Sequence, residues 1–291
     1  MPVLRAGSPH RSYSPHRRSR SLATVAGILV ALLSLLLGLP GAAGAAAPQR
    51  APEPTHPGHE WAGSEIAKHE GTAAVRAPRP SSAASVEGVD VSSHNGNVAW
   101  STLWNSGVRF AYAKATESAS YTNPYFAQQY NGSYQAGMIR GAYHFATPDT
   151  SSGATQANYF VDHGGGWSKD GKTLPGALDM EYNPYGSTCY GLSAAGLVNW
   201  MKDWFATYKA RTGRDAVLYT STAWWKQCTG NSSAFGSVNP LWLPRYGSSV
   251  GELPAGWDFH TIWQYTSSGA TVGDHNRFNG SMDRLKALAN G

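Results

Sequence analysis

An α/β fold, in which a mostly parallel sheet of about eight strands closes into an irregular β/α barrel, is predicted by three features of this 291-residue sequence. Short apolar runs alternate with segments of helical periodicity from Val86 onward, the pattern of successive βαβ units. The last runs have little helical sequence between them, so the alternation becomes irregular toward the C-terminus. Polar and aromatic residues recur at the C-terminal ends of the runs, where β/α barrels gather their chemistry.

The elements follow in order. Gly88–Ser92 reads as the first strand, and Val98–Ser106 as a short helix with Trp100, Leu103 and Trp104 on one face. Phe110–Ala115 is the second strand and Asn123–Ala136 the next helix. Ile139–Phe145 is the third strand, followed by a helix over Ser152–Val161. Leu174–Tyr182 is the fourth. A long helix spans Ser193–Thr212, with Ser193 suited to its N-cap and Gly213 to its C-cap. Ala216–Thr220, Pro240–Leu243 and Thr261–Tyr265 give strands five to seven. A short eighth is placed near Val272, before a terminal helix over Ser281–Ala289.

The N-terminal part has a different texture. Arg17, Arg18 and Arg20 precede an apolar run from Leu22 to Leu39, then Gly38, Pro40 and the small residues Ala43–Ala47. Residues 1–47 therefore read as a cleaved signal peptide, and the protein is expected to be secreted, with no stable membrane anchor afterwards. Residues 48–85 are dominated by Pro, Ala, Ser, Gly and His. Such a composition buries little apolar surface, so a flexible pro-segment or linker is expected, dispensable for activity. A short helix around Trp61–Ile66 is the one element it suggests. The catalytic domain is then 86–291.

The net charge of +5 resides in the leader. Residues 1–85 hold nine Lys/Arg against four Asp/Glu, whereas 86–291 hold fourteen of each. The domain thus lacks the basic footprint of a nucleic-acid binder. Cys189 and Cys228, the only cysteines, read as a disulfide in an oxidising compartment. Closing a loop of about 39 residues would contribute roughly 3–4 kcal/mol. Two cysteines make no zinc site, no His spacing suggests a metal, and no cofactor is expected.

The segment Leu178-Asp179-Met180-Glu181-Tyr182 is the most informative. Alternation along a strand puts Asp179 and Glu181 on one side, and two desolvated carboxylates favour one remaining protonated. A protonated acid beside an ionised carboxylate is the pair that acetal hydrolysis requires. Asp90, Lys114, Tyr143, His144, Tyr219, Trp263, Gln264 and Tyr265 fall at the ends of other strands and converge on the same rim. Taken singly, His144 reads equally well as a core histidine and Trp263 as a packing residue. The many Trp and Tyr rings suit the C–H faces of sugars.

These segments carry a family resemblance. Gly88–His94, Phe110–Glu117, Arg140–Phe145, Leu174–Glu181, Ile262–Tyr265 and Asp274–Gly280 together resemble, in order, the glycoside hydrolase family 25 muramidases, the Chalaropsis-type lysozymes in their secreted actinobacterial form. The resemblance implies a flattened β/α barrel with an incomplete outer helical layer. It implies hydrolysis of the β-1,4 bond between N-acetylmuramic acid and N-acetylglucosamine in peptidoglycan. The general acid then falls on Glu181, its partner carboxylate on Asp179, and two further acidic positions on Asp90 and Asp274. Tyr143, Lys114, Tyr219, Trp263 and Gln264 are expected to bind substrate, and the Cys189–Cys228 pair looks like the disulfide of close relatives. Asp179 has two open roles, as nucleophile or as the group that orients a reacting 2-acetamido substituent, and an inverting route would use the same residue types. A chitinase-like glycosidase and a non-catalytic wall-binding protein are the rival readings. The partner expected is bacterial peptidoglycan, bound by a monomer.

Overall fold

The structure, a computed structural model, describes residues 60–72 and 85–291. The expected signal peptide, 1–47, lies outside the described residues, as do 48–59 and 73–84. In chain order the first elements are α1 (Ser64–Glu70), β1 (Val86–Val91), α2 (Trp100–Asn105), β2 (Phe110–Glu117), β3 (Tyr121–Thr122), α3 (Phe126–Gln135), β4 (Ile139–Phe145) and α4 (Gly153–Phe160). They continue with β5 (Ala177–Asp179), α5 (Ala194–Thr212), β6 (Val217–Tyr219), α6 (Thr222–Thr229), β7 (Leu241–Pro244), β8 (Ile262–Thr266), β9 (Asp274–Phe278) and α7 (Met282–Asn290).

Eight strands close a barrel in the order β1-β2-β4-β5-β6-β7-β8-β9, and β3 is a short hairpin strand added to β2. Neighbours from β1 to β8 pair in parallel, whereas β9 is antiparallel to both β8 and β1. The eighth strand therefore lies slightly beyond Val272 and runs in reverse. Only residues 267–273 separate β8 from β9. A parallel return needs a crossover of a dozen or more residues, so the short link forces the antiparallel arrangement.

Two expectations from sequence need correction. The fourth strand was expected over Leu174–Tyr182, but the ladder covers only Ala177–Asp179. Pro175 has no N–H to give, and the Gly176 N–H donates to the Tyr208 hydroxyl at 2.7 Å instead of to a neighbouring strand. A helix also follows the fifth strand: α6 is capped by Ser221, whose Oγ accepts the Trp224 N–H at 3.1 Å. It carries Cys228, joined to Cys189 with a Cα–Cα distance of 5.3 Å. No helix intervenes between β7 and β8, so the helical layer is incomplete on that side.

Alternation along the strands separates two environments. Outer positions pack under the helices: Ala142, Leu178 and Leu218 meet Phe160, Trp204, Tyr208 and Trp224 of α4, α5 and α6. Inner positions fill the barrel with rings from Phe110, Tyr112, Tyr143, Tyr219 and Trp242. Trp242 is the hub, with the Tyr112 and Tyr219 rings centred 4.8 and 4.9 Å away. Two inner glycines make room for this aromatic layer. A Cβ on Gly88 or Gly141 would stand 2.3 Å from the ring of Phe110 or Tyr112 respectively.

We expect Gly141→Ala to lower stability by ~1–3 kcal/mol through overpacking, since the Tyr112 ring is fully buried and cannot retreat. Gly166→Ala, whose Cβ would meet nothing within 4 Å, is the matched control. Thermal denaturation of both variants checks this; equal midpoints would show that the aromatic layer is loosely packed.

Candidate active site

Above the aromatic layer, the C-terminal mouth of the barrel is lined by ionisable side chains. Asp90 on β1, Asp179 on β5 and Asp274 on β9 all occupy inner positions, and Glu181 lies two residues past the end of β5. All four are buried. The structure therefore gathers the four acidic residues singled out in the sequence into one cluster.

Lys114 and Glu117 join them through an irregularity. Pairing of β2 with β4 slips between Lys114 and Thr116, leaving Ala115 as an extra residue. Without this bulge, positions 114 and 117 would face opposite sides; with it, both point inward. The Lys114 ammonium forms a fully buried ion pair with Glu117, whose other oxygen accepts the Tyr185 hydroxyl. Thr116 turns outward and bonds His144 Nδ1 at 2.8 Å.

Asp90 accepts from Gln264 Nε2 at 2.9 Å and from Asn276 Nδ2 at 2.7 Å. Burial nevertheless pushes its carboxyl up to about 7, against the pull of those two amides. Gln264 Oε1 in turn accepts the hydroxyls of Tyr219, at 2.8 Å, and Tyr246, at 2.9 Å. Asn276 Oδ1 accepts the Trp242 indole N–H at 2.7 Å. The hub of the aromatic layer thus orients the amide that orients Asp90.

The pair at the end of β5 is the electrostatic centre. Burial first, and then the charge of Asp179, raise the Glu181 carboxyl well above the ordinary glutamate range. Asp179 is likewise raised well above its ordinary value by burial, eased by Lys114 and reinforced by Asp90 and Glu117. Both of its oxygens are buried and have no hydrogen-bond partner. An acceptor left open in a buried site is costly unless a ligand donor fills it. Asp274, raised by burial and then by Asp90, also keeps one buried oxygen without a partner.

Among the other residues expected to bind substrate, Tyr143, Lys114, Tyr219 and Gln264 reach this cluster. Trp263 does not. It sits on the opposite face of β8 from Gln264, and its indole N–H is used on the Arg245 carbonyl at 2.8 Å. His144 also faces away, between Thr116 and Gln156 and against Trp204 and Phe160, and burial lowers its pKa to about 4. It is a core histidine. Glu117 and Asn276 also belong to the site and lie inside the segments that carry the resemblance without being singled out there, whereas Tyr185 and Tyr246 had no sequence signal.

The mouth is covered. Residues 60–72 lie across it, and Glu181 receives three backbone N–H groups from them. Gly63 donates to Oε1 at 2.7 Å, while Glu65 and Ile66 donate to Oε2 at 3.1 Å each. The composition of this stretch suggested little burial, yet Ala62, Ser64, Glu65 and Ile66 are all buried. The reason is that main-chain groups, more than apolar side chains, hold it down.

Comparison with known proteins agrees with this geometry. Residues 89–274 match the glycosyl hydrolases family 25. The chain is 44% identical over 285 residues to lysozyme M1 of Streptomyces globisporus, covering 94% of this chain and 96% of that protein. It is 50% identical over 210 residues to the N,O-diacetylmuramidase of Chalaropsis sp, covering 71% of this chain and all of that one. The crystal structure of the bacterial lysozyme from Streptomyces coelicolor superimposes with a TM-score of 0.70 at 46% identity, covering 72% of this chain and 99% of its own. A closed barrel with an acidic mouth, matched over this length and at these identities, places the chain in glycosyl hydrolase family 25.

Proposed function

We propose that Glu181 and Asp179 are the catalytic pair of a secreted lysozyme, an N-acetylmuramidase that hydrolyses the β-1,4 bond between N-acetylmuramic acid and N-acetylglucosamine in peptidoglycan. Muramidase activity on peptidoglycan follows from family membership and the lysozyme and muramidase relatives. The assignment of roles rests on one observation: two buried carboxylates two residues apart at the end of β5, in the barrel mouth, where burial raises both above their ordinary range.

Glu181 is the acid. Protonated at the working pH, it delivers its proton to the glycosidic oxygen as the bond from that oxygen to C1 breaks. Asp179 is the assisting carboxylate. Its two unpartnered buried oxygens are suited to the N–H of the substrate's 2-acetamido group, whose carbonyl oxygen then closes on C1. Water opens that cyclic intermediate, with Glu181, now ionised, taking the water's proton. Asp90 and Asp274 add negative potential around the positive charge that develops at C1. Tyr219, Tyr246 and Gln264 present hydroxyl and amide groups to sugar hydroxyls. The disulfide fits an extracellular enzyme.

Mass analysis of fragments released from purified walls tests the bond cleaved; N-acetylmuramic acid at every new reducing end is expected, and N-acetylglucosamine ends would overturn the reading. Glu181→Gln should lower turnover by ~10²–10⁴-fold, the scale of a lost general acid, with the thermal midpoint retained. Near-normal lysis by the folded variant would remove Glu181 from the role.

The pH dependence carries a sign. The alkaline limb of the rate at saturating substrate reports loss of the proton from the acid. Burial and the charge of Asp179 both raise Glu181, in that order. Asp179→Asn removes the second cause, so the limb should shift to lower pH while staying above the ~4.3 of an unperturbed glutamate. An unmoved limb would show that burial alone holds the proton.

A further inference from the structure

Residues 60–71 use the polar groups of the site as a ligand would. Besides the three N–H groups on Glu181, the Ala62 N–H donates to the Tyr143 hydroxyl at 3.3 Å and the Ala62 carbonyl accepts from Gln264 Nε2 at 3.0 Å. The Glu60 carbonyl accepts from Lys114 Nζ at 2.6 Å, and the Gly63 carbonyl from the Tyr246 hydroxyl at 3.3 Å. The Trp61 ring stacks on His94, with ring centroids 4.4 Å apart. At the other end, His69 stacks on Tyr182 at 4.1 Å, and Glu70 accepts from the Tyr182 and Ser221 hydroxyls. The segment is thus anchored beside the ends of β1 and β5, with Glu181 engaged between the two anchors.

Two details separate a fitted occupant from a strand of leader resting on a surface. Gly63 has φ +95, and a Cβ on it would stand 2.2 Å from the Tyr246 hydroxyl, 2.7 Å from Gln264 Oε1 and 2.9 Å from the Tyr219 hydroxyl. Only glycine fits there, in conformation and in space. Moreover, the groups placed against Tyr143, Gln264 and Glu181 are peptide amides, with the same N–H and C=O as the acetamido substituents of the wall sugars. Glu181 with both oxygens engaged by backbone N–H groups cannot reach a glycosidic oxygen.

We propose that residues 60–71 are an autoinhibitory plug that the folded domain holds in its own substrate cleft, so that the chain is latent until this segment leaves. On this proposal the stretch remains dispensable for activity, as expected from sequence, but its removal raises activity instead of leaving it unchanged. The proposal rests on the cleft assigned above, and it adds regulation by a competing segment of the same chain. Tethering makes a weak plug sufficient. At the mM effective concentration of a short linker, a segment whose free peptide binds at ~0.1 mM would suppress access ~10-fold.

The test uses the whole chain with a site-specific protease sequence inserted between residues 72 and 85, cut only after folding and purified from the released peptide. Wall lysis and binding of a chitooligosaccharide by calorimetry are measured on the uncut and cut forms. The cut form should lyse walls at least ~10-fold faster and bind the sugar at concentrations where the uncut form does not. Uncut Gly63→Val should behave like the cut form, because its side chain cannot enter between Tyr246, Gln264 and Tyr219. A synthetic 58–72 peptide should inhibit the cut enzyme competitively, and the Gly63→Val peptide should not. Equal lysis and equal sugar binding before and after the cut would overturn the proposal. Sugar binding that appears on cutting without any wall lysis would uphold the plug while removing the muramidase assignment, so the two failures are distinct.

Discussion

Everything at the mouth of this barrel depends on the cost of bringing carboxylates out of water next to one another. Asp90, Asp179, Glu181 and Asp274 are all raised, with burial as the first cause in each. In the barrel order, β9 and β1 are adjacent and β5 lies three strands beyond β1, so the parallel sheet sets the spacing of the acids. Within this cluster, a single buried cation, Lys114, is paired with Glu117 and eases the ionised form of Asp179. Once residues 60–71 are withdrawn, that placement favours a proton on Glu181 and a charge on Asp179; while they are in place, their three N–H groups on Glu181 oppose it.

The layer below makes such a site affordable to the fold. The rings around Trp242 fill the barrel to a fixed height, and the glycines at 88 and 141 let two of those rings approach the neighbouring strands. Polarity then begins abruptly, through Asn276, which takes the Trp242 N–H on one side and gives an N–H to Asp90 on the other. The rigid core therefore fixes the geometry of the acids directly, without intervening loops.

Much of this was legible in the sequence, because strand ends in a β/α barrel are marked by where apolar runs stop. Asp90, Lys114, Tyr143, Asp179, Tyr219 and Gln264 were found in that way. What escaped was set by features that periodicity does not carry. The extra residue at Ala115 brings Glu117 inward, which strict alternation would deny. Trp263 was assigned to the site from its position along the chain, whereas its parity on β8 sends it outside. The helix after β6 is short and bears two adjacent tryptophans, so it shows no clear polar face. Residues 60–72 escaped for a different reason: composition measures apolar side chains, and this segment is held largely by its backbone amides.

The central claim is that the open barrel mouth holds the Glu181 carboxyl well above the ordinary glutamate range, through burial and the charge of Asp179. Carboxyl carbon-13 titration of the cut form, freed of residues 60–71 and labelled in glutamate, reads this directly, with the Glu181 resonance identified by its disappearance in Glu181→Gln. The account predicts one glutamate whose midpoint stands well above the ~4.3 of the exposed glutamates, with a second, smaller inflection as the aspartate beside it titrates. A Glu181 resonance that titrates with the exposed glutamates would contradict it.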